Sequence, residues 1–313
     1  MEEHAASGEG TMKIAVAVNP QAAFGSSRGS GERVLELLRA AGHQPVLLRE
    51  TNYQALTASV RQAVQQGVDA LLMVGGDGMV HLGVNVLASE AVPPTPMGLI
   101  PVGTGNDAAR SLGLPLGDIP AAVQRFLAGA QQPLSIDLGK VSSDREEEFF
   151  AVSFSAGFDA RVNERANGWR WPKGRQRYNL AIVRELATFR PIRYRLVVDG
   201  VAEELEAMLI AVANGTSLGG GMKITPDAQL SDGELDLFVV APMSRLRLVA
   251  LFPKVFSGRH IGEPEVSIRR VRSVRIEAEL PGNQSLVSYA DGERVGALPR
   301  QIDLVPAALT LWV

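Results

Sequence analysis

The chain has 313 residues, of which 46% are hydrophobic and 21% charged, so it has the composition of a soluble globular protein and enough length for two domains. Cysteine is absent, which excludes disulfides, thiolate nucleophiles and cysteine metal sites and fits a cytosolic protein. The net charge of −3 gives no overall field that favours nucleic acid, and no apolar run reaches the ~18 residues of a membrane span.

The first part of the chain alternates between strand-like and helix-like patterns. Residues 1–11 have neither the basic start nor the apolar core of a secretion signal, and we predict a disordered leader there. Short β-rich runs then alternate with segments of helical spacing, and the runs are residues 12–19, 43–50, 68–75 and 96–102. This order predicts an α/β domain over residues 12–132, in which helices cover both faces of a parallel sheet.

The pattern changes near residue 133. Residues 134–156 and 191–241 are mostly strand-like, with helical interruptions near 158–188 and 243–256. We therefore predict a second, mainly β domain over residues 133–307. A last strand is predicted near residues 308–313, and its pattern is compatible with pairing in the sheet of either domain.

Glycine-rich loops follow three of the predicted parallel strands. VNPQAAFGSSRG follows the first strand, GGDG the third and PVGTGNDAAR the fourth. Ligands bind beyond the carboxyl ends of such strands, where glycine-rich turns and helix N-termini offer N–H groups to phosphate. Asp77, within GGDG, is either an ordinary turn residue or a carboxylate placed beside a phosphate. The sequence has no Walker A motif, dinucleotide fingerprint, protein-kinase signature or nucleophile elbow, and its four histidines lack zinc-ligand spacing.

Two acidic turns lie in the predicted β domain. PDAQLSDGELDLF (226–238) gathers four carboxylates around one glycine. Carboxylates and turn carbonyls of this kind can hold Mg²⁺ or Ca²⁺, although the residues alone favour a β-turn with solvated acids. YADGERVG (289–296) indicates an Asp-Gly hairpin between two strands.

Residues 161–195 form a basic segment. It contains ten basic residues against two acidic ones, and Trp169, Trp171 and Tyr178 lie among them. The pattern is equally typical of contact with an anionic membrane surface and of a solvated helix face with packed aromatic rings.

Taken in order, these motifs resemble the soluble lipid kinases that share the diacylglycerol kinase catalytic domain, a family that includes bacterial diacylglycerol kinases, sphingosine kinases and ceramide kinases. The resemblance runs from residue 12 to the end of the chain, through NPQAAFG, GGDGM, PVGTGND, AGFDARV, ANGTSLGGGMKITPDAQLSDGELDL and YADGE. GGDG alone also occurs in NAD kinases and 6-phosphofructokinases. Its combination with SLGGG, SDGELD and a late DGE is far more specific to the lipid kinases.

The resemblance implies a fold and an activity. The fold is a three-layer α/β nucleotide domain, like that of phosphofructokinases and NAD kinases, followed by a C-terminal β-sandwich that binds the lipid substrate, with ATP in the cleft between them. The activity is transfer of the γ-phosphoryl group of ATP to the hydroxyl of a membrane lipid, with diacylglycerol as the leading acceptor and Mg²⁺ as the metal.

The resemblance also assigns residues by position. Glu293 in YADGE matches the general base, and Asp77 lies beside the phosphates, where it helps to hold Mg²⁺ or assists deprotonation. The implied nucleotide contacts are Asn19, Pro20, Gln21, Ala22, Ala23, Thr51, Gly75, Gly76, Asp77, Gly78, Met79, residues 80–82, Gly103, Thr104, Gly105 and Asn106. A structural Mg²⁺ is implied between the Asp232 side chain and the backbone carbonyls of Gln229 and Glu234.

The chain departs from the bacterial pattern just after GGDG. Bacterial members usually have Thr at that position and Asn-Glu shortly afterwards, whereas Met79, His81 and Leu82 occupy those places here. This change resembles the sphingosine kinases, so a sphingoid base or another long-chain alcohol stays open as the acceptor. An NAD kinase and a non-catalytic nucleotide- or lipid-binding protein are further alternatives.

A soluble kinase of a bilayer lipid has to reach the membrane surface. We therefore expect a cytoplasmic protein that is peripheral at the inner face of the membrane, with residues 161–195 as the contact segment. No nucleic acid partner is expected, and a homodimer stays open.

Overall fold

The computed structural model describes residues 10–19, 29–89, 93–143, 146–157, 162, 180, 184, 190–280, 282 and 285–313. In the first half of the chain, strands and helices alternate. These elements are β1 (Lys13–Val18), α1 (Ser30–Ala40), β2 (Gln44–Leu48), α2 (Tyr53–Gln65), β3 (Ala70–Gly75), α3 (Asp77–Leu87), β4 (Met97–Pro101), α4 (Asp107–Ser111) and α5 (Ile119–Gly129).

The second half is mostly strand. Its elements are β5 (Leu134–Ser142), β6 (Glu147–Phe150), β7 (Ser153–Gly157), β8 (Ile192–Val198), β9 (Val201–Ala207), β10 (Leu209–Ala213), β11 (Leu235–Val240), α6 (Arg245–Val255), β12 (Val266–Val271), β13 (Ser273–Glu279), β14 (Val287–Ala290), β15 (Glu293–Ala297) and β16 (Arg300–Leu311). A 3-10 helix, Arg259–Gly262, follows α6.

The first half is a three-layer α/β domain. Strands β2, β1, β3 and β4 are parallel neighbours in that order. Alternate residues of β1 point to opposite faces, so Ile14 and Val16 pack with α1 and α5 while Ala15 and Ala17 pack with α2 and α3. The predicted parallel sheet with helices on both faces is confirmed.

Two antiparallel layers form the second half. One is a six-stranded sheet in the order β12-β11-β10-β7-β14-β15. The other contains β16, β13, β8 and β9, and an apolar core that includes Phe154, Leu196 and Leu237 lies between the two layers. The predicted β-sandwich is therefore confirmed as a fold class.

The two halves share one continuous sheet. Strand β16 pairs in parallel with β4, where Leu311 lies opposite Met97, and in antiparallel with β5 and β13. The path β2-β1-β3-β4-β16-β13-β8-β9 therefore runs from the α/β layers into the sandwich. The sequence predicts this last strand but not the shared sheet, because pairing over so long a separation leaves no local pattern.

Membrane-spanning helices are not found in the part of the chain that the structure describes. The predicted leader lies almost entirely outside the described residues, as does most of the basic segment 161–195. The domain boundaries proposed at residues 132 and 307 stay a prediction.

Candidate active site

Asn19, which follows β1, and the glycine-rich loops after β3 and β4 lie side by side at one edge of the sheet. The N–H of Asn19 donates to the carbonyl of Val74 over 3.2 Å, and the N–H of Val102 donates to the carbonyl of Gly75 over 3.0 Å. Gly76 and Gly103 approach so closely that a Cβ on Gly103 would overlap the Cα of Gly76. Glycine is therefore required where the second and third loops touch.

Asn106 fixes the shape of the third loop. Its backbone is left-handed, with φ 57°, and its buried side chain both accepts from the N–H of Gly103 over 3.1 Å and donates to the carbonyl of Gly103 over 2.9 Å. Helix α3 begins directly after Gly76, whose lack of a side chain means that no N-cap group covers the helix start. Such an uncovered helix N-terminus suits a phosphate group.

Asp77 is the first residue of α3, and its side chain reaches the start of α4. Its Oδ1 accepts from the N–H of Ala108 over 3.1 Å. Burial, followed by the negative charge of Asp107, raises the pKa of Asp77 to about 7 against the opposing effect of the Ala108 N–H. Asp107 in turn accepts from the N–H groups of Gly220 and Gly221 over 2.6 and 2.7 Å. This pair of carboxylates joins the α/β domain to the sandwich at the cleft.

The raised pKa of Asp77 predicts a pH dependence of stability. The folded state binds a proton more tightly than the unfolded chain, so without nucleotide or metal the protein loses stability as pH rises from about 4 to about 7, by on the order of 3 kcal/mol. Asp77→Asn removes the titrating group and should flatten this part of the profile. Thermal unfolding across that range checks the prediction, and an equal slope in both proteins would contradict it.

Glu293 reaches the same cleft from the second sheet. It is exposed at the start of β15, and its Oε1 lies 2.7 Å from the position that a Cβ on Gly78 would occupy. The Tyr53 hydroxyl lies 3.7 Å from that same position. Burial raises the pKa of Tyr53 and the charge of Glu293 raises it further, whereas a hydrogen bond with Asn19 lowers it. The predicted base therefore lies against the first turn of α3.

Asp291 positions the turn that presents Glu293. The Asp-Gly hairpin predicted here is confirmed, since β14 and β15 are antiparallel and Asp291 and Gly292 have φ angles of 48° and 85°. The buried Asp291 carboxylate accepts from three consecutive N–H groups at distances of 2.8, 2.9 and 3.1 Å. The donors are Ala151, Val152 and Ser153. The sequence alone predicts the Asp-Gly turn but not these contacts of the Asp291 side chain with residues 151–153.

The sequence patterns of two known domains account for nearly the whole chain. The diacylglycerol kinase catalytic domain matches residues 13–141, and the YegS C-terminal NAD kinase beta sandwich-like domain matches residues 152–313. A diacylglycerol kinase of Mycobacterium tuberculosis is 38% identical over 299 residues, which cover 95% of this chain and 94% of that protein. The chain belongs to the diacylglycerol kinase catalytic-domain family. It is therefore a kinase, as the motifs imply.

Other members of the diacylglycerol kinase family agree with this assignment. A diacylglycerol kinase of Bacillus subtilis is 28% identical over 267 residues, which cover 85% of each chain. The crystal structure of a diacylglycerol kinase from Bacillus anthracis is similar with a TM-score of 0.74 at 26% identity and covers 96% of each chain. An NAD kinase from Archaeoglobus fulgidus, solved in complex with ATP, has a TM-score of 0.51 at 14% identity, covering 96% of this chain and 94% of that one, and so shares the fold.

Met79 and His81, two positions where this kinase departs from the bacterial family pattern, have different surroundings. Met79 is fully buried beneath Gly75, so only its backbone is available to a nucleotide. His81 lies 3.1 Å, Nε2 to Oε2, from Glu148. Burial lowers the pKa of His81, but the bond with Glu148 and the charges of Asp291 and Glu293 outweigh it, so the pKa is raised overall.

The acidic turn proposed for the metal is held against β5. The buried Asp137 accepts from the N–H of Gly233 over 2.8 Å and from the N–H of Ala307 over 2.7 Å. Arg270 lies 3.3 Å from Asp232 and 2.9 Å from Glu234. Burial raises the pKa of the nearby Asp236 to about 6, with Arg270 lowering it and the carboxylates of the turn, Asp227, Asp232 and Glu234, raising it.

The remaining predicted residues divide into two groups. Thr104 is exposed within the third glycine-rich loop and Thr51 is exposed between β2 and α2, while Pro20, Gln21, Ala22 and Ala23 lie outside the described residues. The structure adds polar groups that sequence reasoning did not select, namely Tyr53, Asp107, Arg110 and Asp291. Arg110 donates to the carbonyl of Gly105 over 3.4 Å. Its position in PVGTGNDAAR is the only sequence signal for it.

Proposed function

We propose that this kinase transfers the γ-phosphoryl group of ATP to the hydroxyl group of diacylglycerol, which gives phosphatidic acid, a phospholipid precursor. The observation that carries the proposal is the position of the exposed Glu293 carboxylate against Gly78, at the edge of the glycine-rich cleft. The relatives that are named diacylglycerol kinase support the choice of acceptor.

The nucleotide is proposed to bind along the glycine-rich loops that follow β1, β3 and β4. The backbone N–H groups of the loops and of the α3 N-terminus would neutralise its phosphates, so no Walker lysine is needed. The proposed contacts are Asn19, Pro20, Gln21, Ala22, Ala23, Thr51, Gly75, Gly76, Asp77, Gly78, Met79, Gly103, Thr104, Gly105 and Asn106. The side chain of Asn106 keeps the third loop in the shape that leaves room for them.

Glu293 is proposed as the general base. A lipid hydroxyl is a poor nucleophile, and a carboxylate within hydrogen-bond reach can take its proton as the bond to phosphorus forms. The bond between the γ-phosphorus and the bridging oxygen then breaks, and ADP leaves with that electron pair. Asp77, at the start of α3, is proposed to hold Mg²⁺ or to assist this deprotonation.

A structural Mg²⁺ is proposed at the acidic turn, with the Asp232 side chain and the carbonyls of Gln229 and Glu234 as ligands. Arg270 pairs with two carboxylates of this turn, Asp232 and Glu234, and hard oxygen donors with excess negative charge fit such an ion. Two of the three proposed ligands are backbone carbonyls, and no cluster of three or more acidic, histidine or cysteine side chains suited to a metal occurs among the described residues. The bound ion would stabilise the turn.

A panel of lipids tests the proposed function. Purified protein is incubated with radiolabelled ATP, Mg²⁺ and one of diacylglycerol, sphingosine or ceramide in mixed micelles. We expect label in phosphatidic acid, and phosphorylation of sphingosine but not diacylglycerol would replace the acceptor with the sphingoid base. Absence of labelled lipid, or labelled NADP from added NAD, would contradict a lipid kinase.

The proposed location follows from the acceptor. A protein that phosphorylates a bilayer lipid would act as a cytoplasmic, peripheral protein at the inner face of the membrane. The segment 161–195 is one proposed contact, on the strength of its basic and aromatic composition alone.

A further inference from the structure

The outward side of α6 carries an apolar surface. This α6 surface consists of the exposed Leu246, Val249 and Phe256, together with Ile261 of the 3-10 helix, and the partly buried Phe252 borders it. Leu246 is 85% exposed and Val249 52%, and the Phe252 and Phe256 rings pack edge to face with centroids 5.5 Å apart. Large apolar side chains gathered in this way mark an interaction site more often than scattered ones do.

Helix geometry explains why these side chains share one side. Positions 246, 249 and 256 are separated by three and seven residues, so Leu246, Val249 and Phe256 lie along one face of a helix, with Pro253 between them. The opposite face is formed by the buried Leu248, Leu251 and Val255, which pack into the core of the sandwich. The helix is therefore apolar on its outward side as well as on its packed side.

Two charged groups of α6, Arg247 and Lys254, are already paired. Arg247 forms ion pairs with Glu263 and Glu265, and Lys254 forms one with Glu263. These contacts fix the 3-10 helix beside α6. Because Arg247 and Lys254 are held in these ion pairs, their charged groups do not cover the apolar side chains.

Unpaired cations stand at both ends of the surface. Arg245 and Arg259 are exposed and have no ion-pair partner in the described part of the chain. Residues 245–262 contain no acidic side chain. An apolar surface framed by arginine is complementary to an anionic bilayer, whose acyl region takes the apolar groups while its headgroups take the cations. A second copy of the chain would instead bring like charges together.

The α6 surface is connected to the cleft through a short stretch of backbone. The N–H of Lys223 donates to the carbonyl of Val255 over 3.0 Å, and His260 Nε2 lies 2.9 Å from the carbonyl of Ile224. Just before this stretch, Gly220 and Gly221 bind Asp107 at the cleft. A membrane bound at α6 would therefore lie at a fixed position relative to the cleft.

We propose that the α6 surface inserts into the interface of an anionic lipid bilayer and docks the kinase there. The binding itself is independent of the reaction, and only its use in substrate delivery rests on the proposed function. This surface is separate in sequence from the segment 161–195.

Sedimentation with vesicles tests the docking. We compare wild type, Leu246→Ser/Val249→Ser, Arg245→Glu/Arg259→Glu and the control Val201→Ser, whose valine is 69% exposed on β9 and is not part of the α6 surface. On vesicles of phosphatidylcholine and phosphatidylglycerol, each double variant should bind at least about tenfold more weakly than wild type, while the control binds as wild type does. Wild type should bind vesicles of phosphatidylcholine alone less well.

Two results would overturn the proposal. One is unchanged vesicle binding in both double variants. The other is a dimeric wild type whose Leu246→Ser/Val249→Ser variant becomes monomeric yet still binds vesicles, which would make the surface a contact between copies.

Kinase assays separate this inference from the proposed function. With a short-chain diacylglycerol that is monomeric in water, the Leu246→Ser/Val249→Ser variant should match wild type, whereas with diacylglycerol in anionic vesicles its rate should fall with its binding. If no variant phosphorylates any lipid but vesicle binding follows the expected pattern, the proposed function fails and the docking surface stands.

Discussion

Glu293→Gln should lower kcat for lipid phosphorylation by about a hundredfold to ten-thousandfold, the usual contribution of a general base. Glutamine has nearly the shape of glutamate but cannot accept the proton of the lipid hydroxyl. Glu293 is exposed at the start of its strand, so folding should be unaffected. Steady-state kinetics with diacylglycerol and a separate ATP-binding titration check the prediction, and the affinity for ATP should match that of wild type.

Neighbouring variants make this result specific. Arg294→Gln changes the next exposed residue of the same strand and should retain full activity. Glu293→Asp keeps a carboxylate but withdraws it from Gly78, so its activity should lie between those of wild type and Glu293→Gln. Wild-type kcat in the glutamine variant would eliminate Glu293 as the base, and equal loss of ATP affinity would make it a binding residue instead.

The sequence was sufficient for most of the elements of the fold. Regular alternation of β-rich and helical segments predicted the parallel sheet, because a strand buried between two helical layers needs a continuous apolar run, as in Ala70–Gly75. Asp-Gly between two short strands predicted the hairpin at Asp291 and Gly292. Both features depend on residues close together in the chain.

Contacts between distant residues were not predictable in the same way. Glu293 lies against Gly78 although about two hundred residues separate them, and only the family resemblance related the two. The position of β16 between β4 and β13 likewise depends on pairing across most of the chain. Asp107 and Asp291 have backbone N–H partners, which can belong to any residue type and leave no trace in composition.

Asp291→Ala should lower the free energy of unfolding by about 3–5 kcal/mol, because it leaves three buried backbone N–H groups without an acceptor. Burial raises the pKa of Asp291, while the charge of His81 and these three N–H groups oppose that rise. The three N–H groups therefore stabilise the ionised carboxylate of Asp291 in its buried position. In turn, the carboxylate holds residues 151–153 beside the hairpin. Urea unfolding of the two proteins measures the loss.

Asp199 provides a matched control, because it occupies the same kind of turn in an exposed place. Asp199 and Gly200 have φ angles of 46° and 86°, and Asp199 accepts from the N–H groups of Arg272 and Ser273 over 3.0 and 2.9 Å. Water can replace that acceptor, so Asp199→Ala should cost about 1 kcal/mol or less. Equal losses in the two variants would mean that turn conformation, and not burial, determines the cost at Asp291.

Asp291→Ala should also affect catalysis, since Glu293 follows Asp291 by two residues. At a temperature where Asp291→Ala is still folded, we expect a lower kcat with little change in ATP affinity, because the hairpin would no longer hold the carboxylate at Gly78. Asp199→Ala should keep wild-type kinetics. A folded Asp291→Ala protein with full kcat would show that β14 and β15 position Glu293 without the buried carboxylate.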